Sequence, residues 1–368
     1  MKITNAIQGV MAPPVSLANA LKAQCPADIE LLDFSQAVPG YPPSPALIEH
    51  ATVQLQDPLI HKYAPALGLP ELRAAHAQAL GIPADNLAIT AGCNQAFAVA
   101  MQCLAQSGRR VIVPTPYYFN HQMTLQMQGF EVIEWPCKPD MSLDWEALDA
   151  LMTAEVVAIV LVTPNNPTGY VTPPDEIDRL LAIARAHDAH LILDETYCDF
   201  VPSASLREVE IDPNLIRVYS FSKAYAIAGH RVGSLVGPEA LIQQAEKVID
   251  CWAICAPRLG QQLALKGIQA AGDWVAQWQT RIAQREQHLR NCVQDIPGVS
   301  IESSGAYFAW LSYESEQDSI ALATDWIRRL GILVLPAAYF GSDQRAVRLA
   351  FANQDEDGIS QFARRLVG

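Results

Sequence analysis

The sequence predicts a three-layer α/β protein with a mainly parallel central sheet, followed by a smaller α+β unit. Short apolar segments alternate with longer helical ones through most of the chain, and most of the short segments are continuous apolar runs. A strand with one wet face alternates apolar and polar residues. A continuous run is buried on both faces, as in a parallel sheet covered by helices on each side. A third observation is the change of pattern after about residue 259, where one long helical stretch gives way to short strands.

In chain order, the predicted strands of the large unit are Leu87–Thr90 and residues 111–113, 157–162, 191–193, 216–220 and 232–236. Between the first two, residues 95–105 are rich in alanine and other helix formers. Residues 174–187 open on Pro174, Asp175 and Glu176 and close on Arg185 and His187, the charge order that suits a helix dipole. Residues 259–292 read as one long helix. Strands at 299–302, 306–311, 332–335 and 347–351, with a helix at 320–330, complete the smaller unit. The domain boundary falls within the long helical stretch.

Composition limits what such a protein does. Half of the 368 residues are hydrophobic and 17% are charged, enough for a large core and too apolar for a disordered chain. The net charge of −14 is the wrong sign for nucleic acid or an acidic membrane, so neither is expected as a partner. No apolar run approaches the roughly 18 residues that span a bilayer. Residues 1–17 carry one lysine and no long apolar region, so they do not read as a signal peptide. The eight cysteines lack a paired metal spacing, and Cys251 and Cys255 have no second Cys/His pair to complete a site. No metal is therefore expected, and the localisation predicted is cytoplasmic, with reduced thiols.

Four segments carry chemistry. Lys223, one of seven lysines, follows a predicted buried strand, with Ser220 and Ser222 before it and Arg231 after it. A lysine that forms an imine needs a partly desolvated strand-end position beside phosphate donors, and the serines and the arginine fork are such donors. A plain loop lysine is the alternative. In segment 190–197 an apolar strand ends in Asp194 and Glu195, with Tyr197 beyond. A carboxylate there holds a pyridine nitrogen protonated, with Tyr197 on the ring's phenolic oxygen, or else it caps the next helix. Segment 161–169 follows the most apolar strand. Its prolines and glycine fix a turn that presents Asn166 as a second donor to that oxygen, unless it is a tight turn only. Segment 90–95, with Gly92, Cys93 and Asn94, joins a strand to a helix. Free N–H groups at a helix start hold a single phosphate, and neither a Walker lysine nor a dinucleotide glycine pattern is present.

Together the Asn-Pro-Thr-Gly, Asp-x-x-Tyr, Ser-x-Ser-Lys and Gly-x-Arg-x-Gly elements resemble the class I/II aminotransferases of the aspartate aminotransferase fold, the fold type I pyridoxal-phosphate enzymes. The resemblance covers nearly the whole chain. It implies a seven-stranded sheet, pyridoxal 5'-phosphate bound to Lys223 as a Schiff base, and ping-pong transfer of an amino group from an L-amino acid to a 2-oxo acid. It implies three further parts: an N-terminal segment over 1–32 packed with the small domain, a large cofactor domain over 33–280 and a small domain over 281–368. It implies a homodimer in which Tyr63, in segment 63–73, reaches the neighbouring subunit's phosphate. In segment 116–121 it favours Tyr118 over Tyr117 as the aromatic that stacks on the cofactor ring. Arg348 matches the arginine that grips the substrate carboxylate, and segment 35–41 resembles the substrate loop. Ala37 stands where the family often has glycine, which implies a narrower pocket, and His230 stands where an apolar residue is usual. The pattern leaves the donor's side chain open; Arg258 is either a ligand for a distal carboxylate or a surface or interface arginine. Two rivals share the fold. A C–S β-lyase uses the same cofactor residues. The aminotransferase-like sensor domains of transcription regulators follow a DNA-binding domain, for which the expected start of the fold by Asp33 leaves no room.

Overall fold

The computed structural model describes residues 3–104 and 109–367. Its first strands are β1 (Leu32–Asp33), β2 (Leu87–Thr90), β3 (Arg110–Thr115), β4 (Glu131–Pro136), β5 (Val156–Val162), β6 (His190–Asp194), β7 (Leu215–Ser220) and β8 (Gly233–Val236). Among the described residues, all but β1 form a seven-stranded sheet in the order β2-β8-β7-β6-β5-β3-β4. Every pairing is parallel except the two made by β8, which runs against both β2 and β7.

The continuous apolar runs are explained by cover on both faces. Val111 and Val113 of β3 and Ile192 of β6 point to one side. There they pack with the helices Cys93–Leu104, Phe119–Met127 and Glu239–Ala253. Ile112, Leu191 and Leu193 point to the other, toward Trp145–Leu151 and Pro174–Ala186. The helices Pro70–Leu80 and Arg258–Ala270 cover the β2/β8 end of that second face. The six predicted strands of the large unit are all present, whereas β4 was not predicted. It is an edge strand with Glu131 and Glu134 exposed and only Trp135 buried, so it lacks the apolar run of its neighbours. Residue 105, at which the predicted helix 95–105 ends, lies outside the described residues.

The smaller unit adds β9 (Val299–Gly305), β10 (Phe308–Tyr313), β11 (Ile332–Leu333), β12 (Leu335–Pro336) and β13 (Ala346–Leu349). Four of these form an antiparallel sheet, β12-β13-β10-β9, while β11 pairs in parallel with β1. The predicted strand 332–335 is thus two strands that serve different sheets. The predicted helix 259–292 is also two, Arg258–Ala270 and Gly272–Val293. Helix Ser319–Leu330 is closed at both ends by its sequence. The Asp318 carboxylate accepts from the N–H groups of Ile320 and Ala321, and Gly331 takes the left-handed conformation after it, φ 65°. Phe34, Leu289, Trp326, Phe351 and Phe362 fill this unit's core.

The chain from β1 onward ties the two units. Asn353 Nδ2 donates to the carbonyls of Asp33 (3.0 Å) and Gln36 (2.8 Å). Tyr41 stacks on Trp278 at 3.8 Å and its hydroxyl donates to the Lys223 carbonyl at 3.1 Å.

Candidate active site

Because the sheet is parallel apart from β8, the segments after β2, β3, β5, β6 and β7 all emerge at one edge, where ligands of open α/β sheets bind. The reversed β8 brings Arg231, just before its first residue, to the same edge. A cavity of about 170 Å³ lies there, lined by Cys93, Asn94, Tyr118, Asn166, Asp194, Tyr197, Ser220, Ser222, Lys223 and Arg231 among others. A second, of about 160 Å³, continues toward the small unit. It shares Tyr118, Asn166, Tyr197 and Lys223 and adds Ser35, Gln36, Ala37 and Arg348.

Lys223 sits where the two cavities meet. Its Nζ donates to the Ala37 carbonyl at 2.5 Å. Burial, and then the charges of Arg231 and Arg348, bring its amine down to about 8. The Asp194 carboxylate lines the first cavity with it. Burial alone would raise this carboxyl, yet it is held below the ordinary range by His121, whose Nε2 lies 3.0 Å from Oδ2, and by Thr196, whose N–H donates to Oδ1 at 3.0 Å. The Cys93 thiol is 3.5 Å from the same Oδ1, and burial pushes it well above its usual range. Tyr118 accepts from Asn120 Nδ2 at 2.8 Å and donates to Asn94 Oδ1 at 3.4 Å. Burial also drives Tyr197 far above the usual phenol range, so it stays a donor at neutral pH.

At the Arg231 end of the first cavity, Ser220 Oγ accepts from the Ser222 N–H, while the buried Ser222 Oγ has no hydrogen-bond partner among the described residues. Arg231 holds a left-handed backbone, φ 50°, uncommon for a side-chain-bearing residue and costly enough to need support from its surroundings. Its guanidinium lies against Gly92, φ +84°, where a Cβ would stand 2.3 Å from Nη2. At the other end Arg348 is sandwiched between the rings of Phe308 and Phe340, 4.8 and 5.1 Å away. Its Nη1 donates to Asn166 Oδ1 at 2.8 Å and its Nη2 to the Ser35 carbonyl, while Nε has no hydrogen-bond partner among the described residues. Burial lowers it to about 10.

Two predicted residues stand apart. Tyr63 lines neither cavity and is 73% exposed. Arg258 donates to the carbonyls of Lys62 (3.1 Å) and Tyr63 (2.7 Å), so its fork serves this loop rather than a ligand in its own subunit's cavities. Tyr117 turns away from the site and packs against Gly341. His121 is the residue that sequence reasoning missed. It lies three positions after Tyr118, one turn along Phe119–Met127, and stacks on Phe97 at 4.0 Å. That i, i+3 spacing is the signal that was available.

The donor set fits pyridoxal phosphate on this chain's own features: a lowered lysine amine, an ionised buried carboxylate in the same cavity, and a serine hydroxyl without a partner among the described residues, in one cavity with an arginine and a helix start. Fold and site together define a pyridoxal-phosphate enzyme of fold type I. The sequence model of the family described as aminotransferase class I and II matches residues 29–366, and the chain belongs to that family. It is similar to an aromatic aminotransferase of Arabidopsis thaliana, 27% identical over 91% of this chain and 88% of that one. It is also similar to a valine–pyruvate aminotransferase of Mycobacterium tuberculosis, 28% identical over 96% and 94%. Among solved structures, the aspartate aminotransferase of Thermus thermophilus superposes with a TM-score of 0.88 at 24% identity, covering 99% of this chain and 100% of that one. The protein is a pyridoxal-phosphate-dependent aminotransferase. Among the described residues, no helix is long and apolar enough to cross a membrane.

Proposed function

We propose that Lys223 is the residue that carries the cofactor and moves the substrate proton in transfer of an amino group from an L-amino acid to a 2-oxo acid. The observation that carries this reading is the Lys223 amine at the meeting point of the two cavities, lowered to about 8. A base poised there is close to the pH at which it works. When bound, pyridoxal phosphate supplies an electron sink for the charge left at the substrate's Cα. Asp194 keeps the pyridine nitrogen protonated, and its contact with His121 keeps Asp194 ionised. Asn166 and Tyr197 donate to the phenolic oxygen, and Tyr118 covers the ring. Ser220, Ser222, Arg231 and the N–H groups around Gly92, Cys93 and Asn94 hold the phosphate. Arg348 takes the α-carboxylate with the fork that now holds Asn166 and Ser35.

The working unit is a homodimer in which a second copy of the chain supplies Tyr63, and its place is the cytoplasm. The exposure of Tyr63 and the anchoring of its loop by Arg258 support the first statement. The eight free cysteines support the second.

The test is Lys223→Ala. The purified variant should lose, on dialysis, the visible absorbance of lysine-bound cofactor and all measurable transamination. A variant that keeps both would remove Lys223 from the centre of the reaction. In the same assay the parent enzyme should need an oxo-acid acceptor. Pyruvate and ammonia released without one would reassign the chemistry to β-elimination.

A further inference from the structure

A separate cavity of about 340 Å³ shares no lining residue with the cavity that holds Lys223. Strand pleating sets the two apart. Ser220 of β7 faces the cofactor cavity, whereas Arg217 and Tyr219 of the same strand line this one. We propose that this cavity is an accessory binding site for a small organic ammonium ion with an apolar body.

The charge pattern of the walls points to a cation. Glu195 is already matched by Arg217, with bonds of 2.6 and 2.7 Å. Arg207 is matched by Asp178 at 2.6 Å and Glu210 at 2.5 Å. Asp199 forms no ion pair among the described residues; its partner is the Tyr219 hydroxyl, which donates at 2.8 Å. Burial without a countercharge pushes the Asp199 carboxyl up to about 6, which leaves it ionised at neutral pH but short of a cation. His76 does not supply one. Its Nε2 lies 3.0 Å from Ser234 Oγ, and burial lowers it to about 4. With both wall arginines engaged, an anion meets no uncommitted guanidinium and two carboxylates that repel it.

The remaining walls suit an apolar body. Leu80, Leu206, Val209 and Ile268 line one part, and the rings of Tyr219, Phe221 and Tyr225 line another. Aromatic rings beside a carboxylate are the usual surroundings of a bound ammonium group, attracted by the ring faces and the charge together. The volume is at the lower end for small-molecule pockets, so the ligand is correspondingly small.

The experiment uses the holoenzyme and benzyltrimethylammonium, whose quaternary nitrogen cannot condense with the cofactor, followed by titration calorimetry. One saturable site per chain is expected, and it should persist after the active site has been blocked with aminooxyacetate. Asp199→Asn should weaken binding about ten-fold or more. Ile268→Trp, which fills the cavity, should abolish it. Unchanged melting temperatures and transamination rates would show that both variants are folded. If Asp199→Asn does not fold, the cavity-filling variant still decides. Four outcomes would each overturn the proposal: no saturable binding, binding lost on blocking the active site, equal affinity in the folded variants, or equally tight binding of neutral 3-phenylpropan-1-ol.

Discussion

Burial acts in opposite senses on two ionisable side chains of one cavity. It lowers Lys223, and only a close set of polar contacts stops it from raising Asp194. The lysine leads to a pH prediction. On the proposal that Lys223 carries the cofactor, only its neutral amine would condense with the aldehyde, and with a value near 8 that form grows as pH rises through 8. The rate at which cofactor-free protein recaptures pyridoxal phosphate, followed by its visible absorbance, should climb through pH 8 and level off above 9. A rate still climbing past pH 10 would place an ordinary lysine there. For Asp194, the variant Asp194→Asn should retain part of its cofactor affinity and lose several kcal/mol of transition-state stabilisation, roughly a hundred-fold or more in kcat. Near-normal turnover, compared at saturating cofactor, would reduce Asp194 to the acceptor for the Thr196 N–H. Most of this constellation is legible in the sequence because each member follows a strand with a recognisable apolar run. His121 offers only its i, i+3 spacing after Tyr118, because its contact with Asp194 is made in the folded chain between the ends of β3 and β6, two strands that β5 separates.

Elements are legible where burial or capping leaves a local mark. The strands covered on both faces announce themselves, whereas β4 has one wet edge and charged residues inside it. Nothing within residues 332–335 tells that the first two pair with β1 and the last with β13, since partner choice is settled by the neighbouring strands. The junction of Arg258–Ala270 with Gly272–Val293 carries one glycine and no other stop signal, so the two helices read as one. The β2-to-helix turn, by contrast, is marked by a glycine with a specific job. Gly92→Ala places a methyl against the Arg231 guanidinium in a backbone region that favours glycine. Its affinity for the cofactor should fall at least ten-fold, about 1.4 kcal/mol or more, as costs of left-handed strain run near that size. Equilibrium dialysis checks this, and unaltered retention would mean that Arg231 does not need its present place.

For the whole molecule, the exposure of Tyr63 leads to a prediction about subunits. Lys223→Ala chains and chains inactivated at Tyr63 should each be inactive. Mixed and re-equilibrated, they should form hybrids with one doubly damaged site and one intact site, and activity should return. No recovery, with hybrids seen by native mass spectrometry, would confine Tyr63 to its own subunit or to no site at all. The change of pattern near residue 259 precedes the strands of the four-stranded sheet. How segment 33–41 crosses between the units was not legible in the sequence, because Tyr41, Trp278 and the Lys223 carbonyl meet only in the folded chain.

The reversal of β8 has a mechanical meaning. A parallel strand returns to its sheet only after a crossover of a dozen or more residues, whereas a reversed one needs a turn. Here the reversing connection is residues 221–232, with the helical turns Phe221–Ala224 and Ala228–His230, so Lys223 and Arg231 belong to one bracket held to the sheet at both ends. The Lys223 amine and the Arg231 guanidinium therefore share a single mount. A distortion of that bracket displaces both together and keeps their spacing, while an added residue in the turn changes the spacing itself. Tolerance to insertion along this chain should for that reason fall to its minimum between residues 224 and 230.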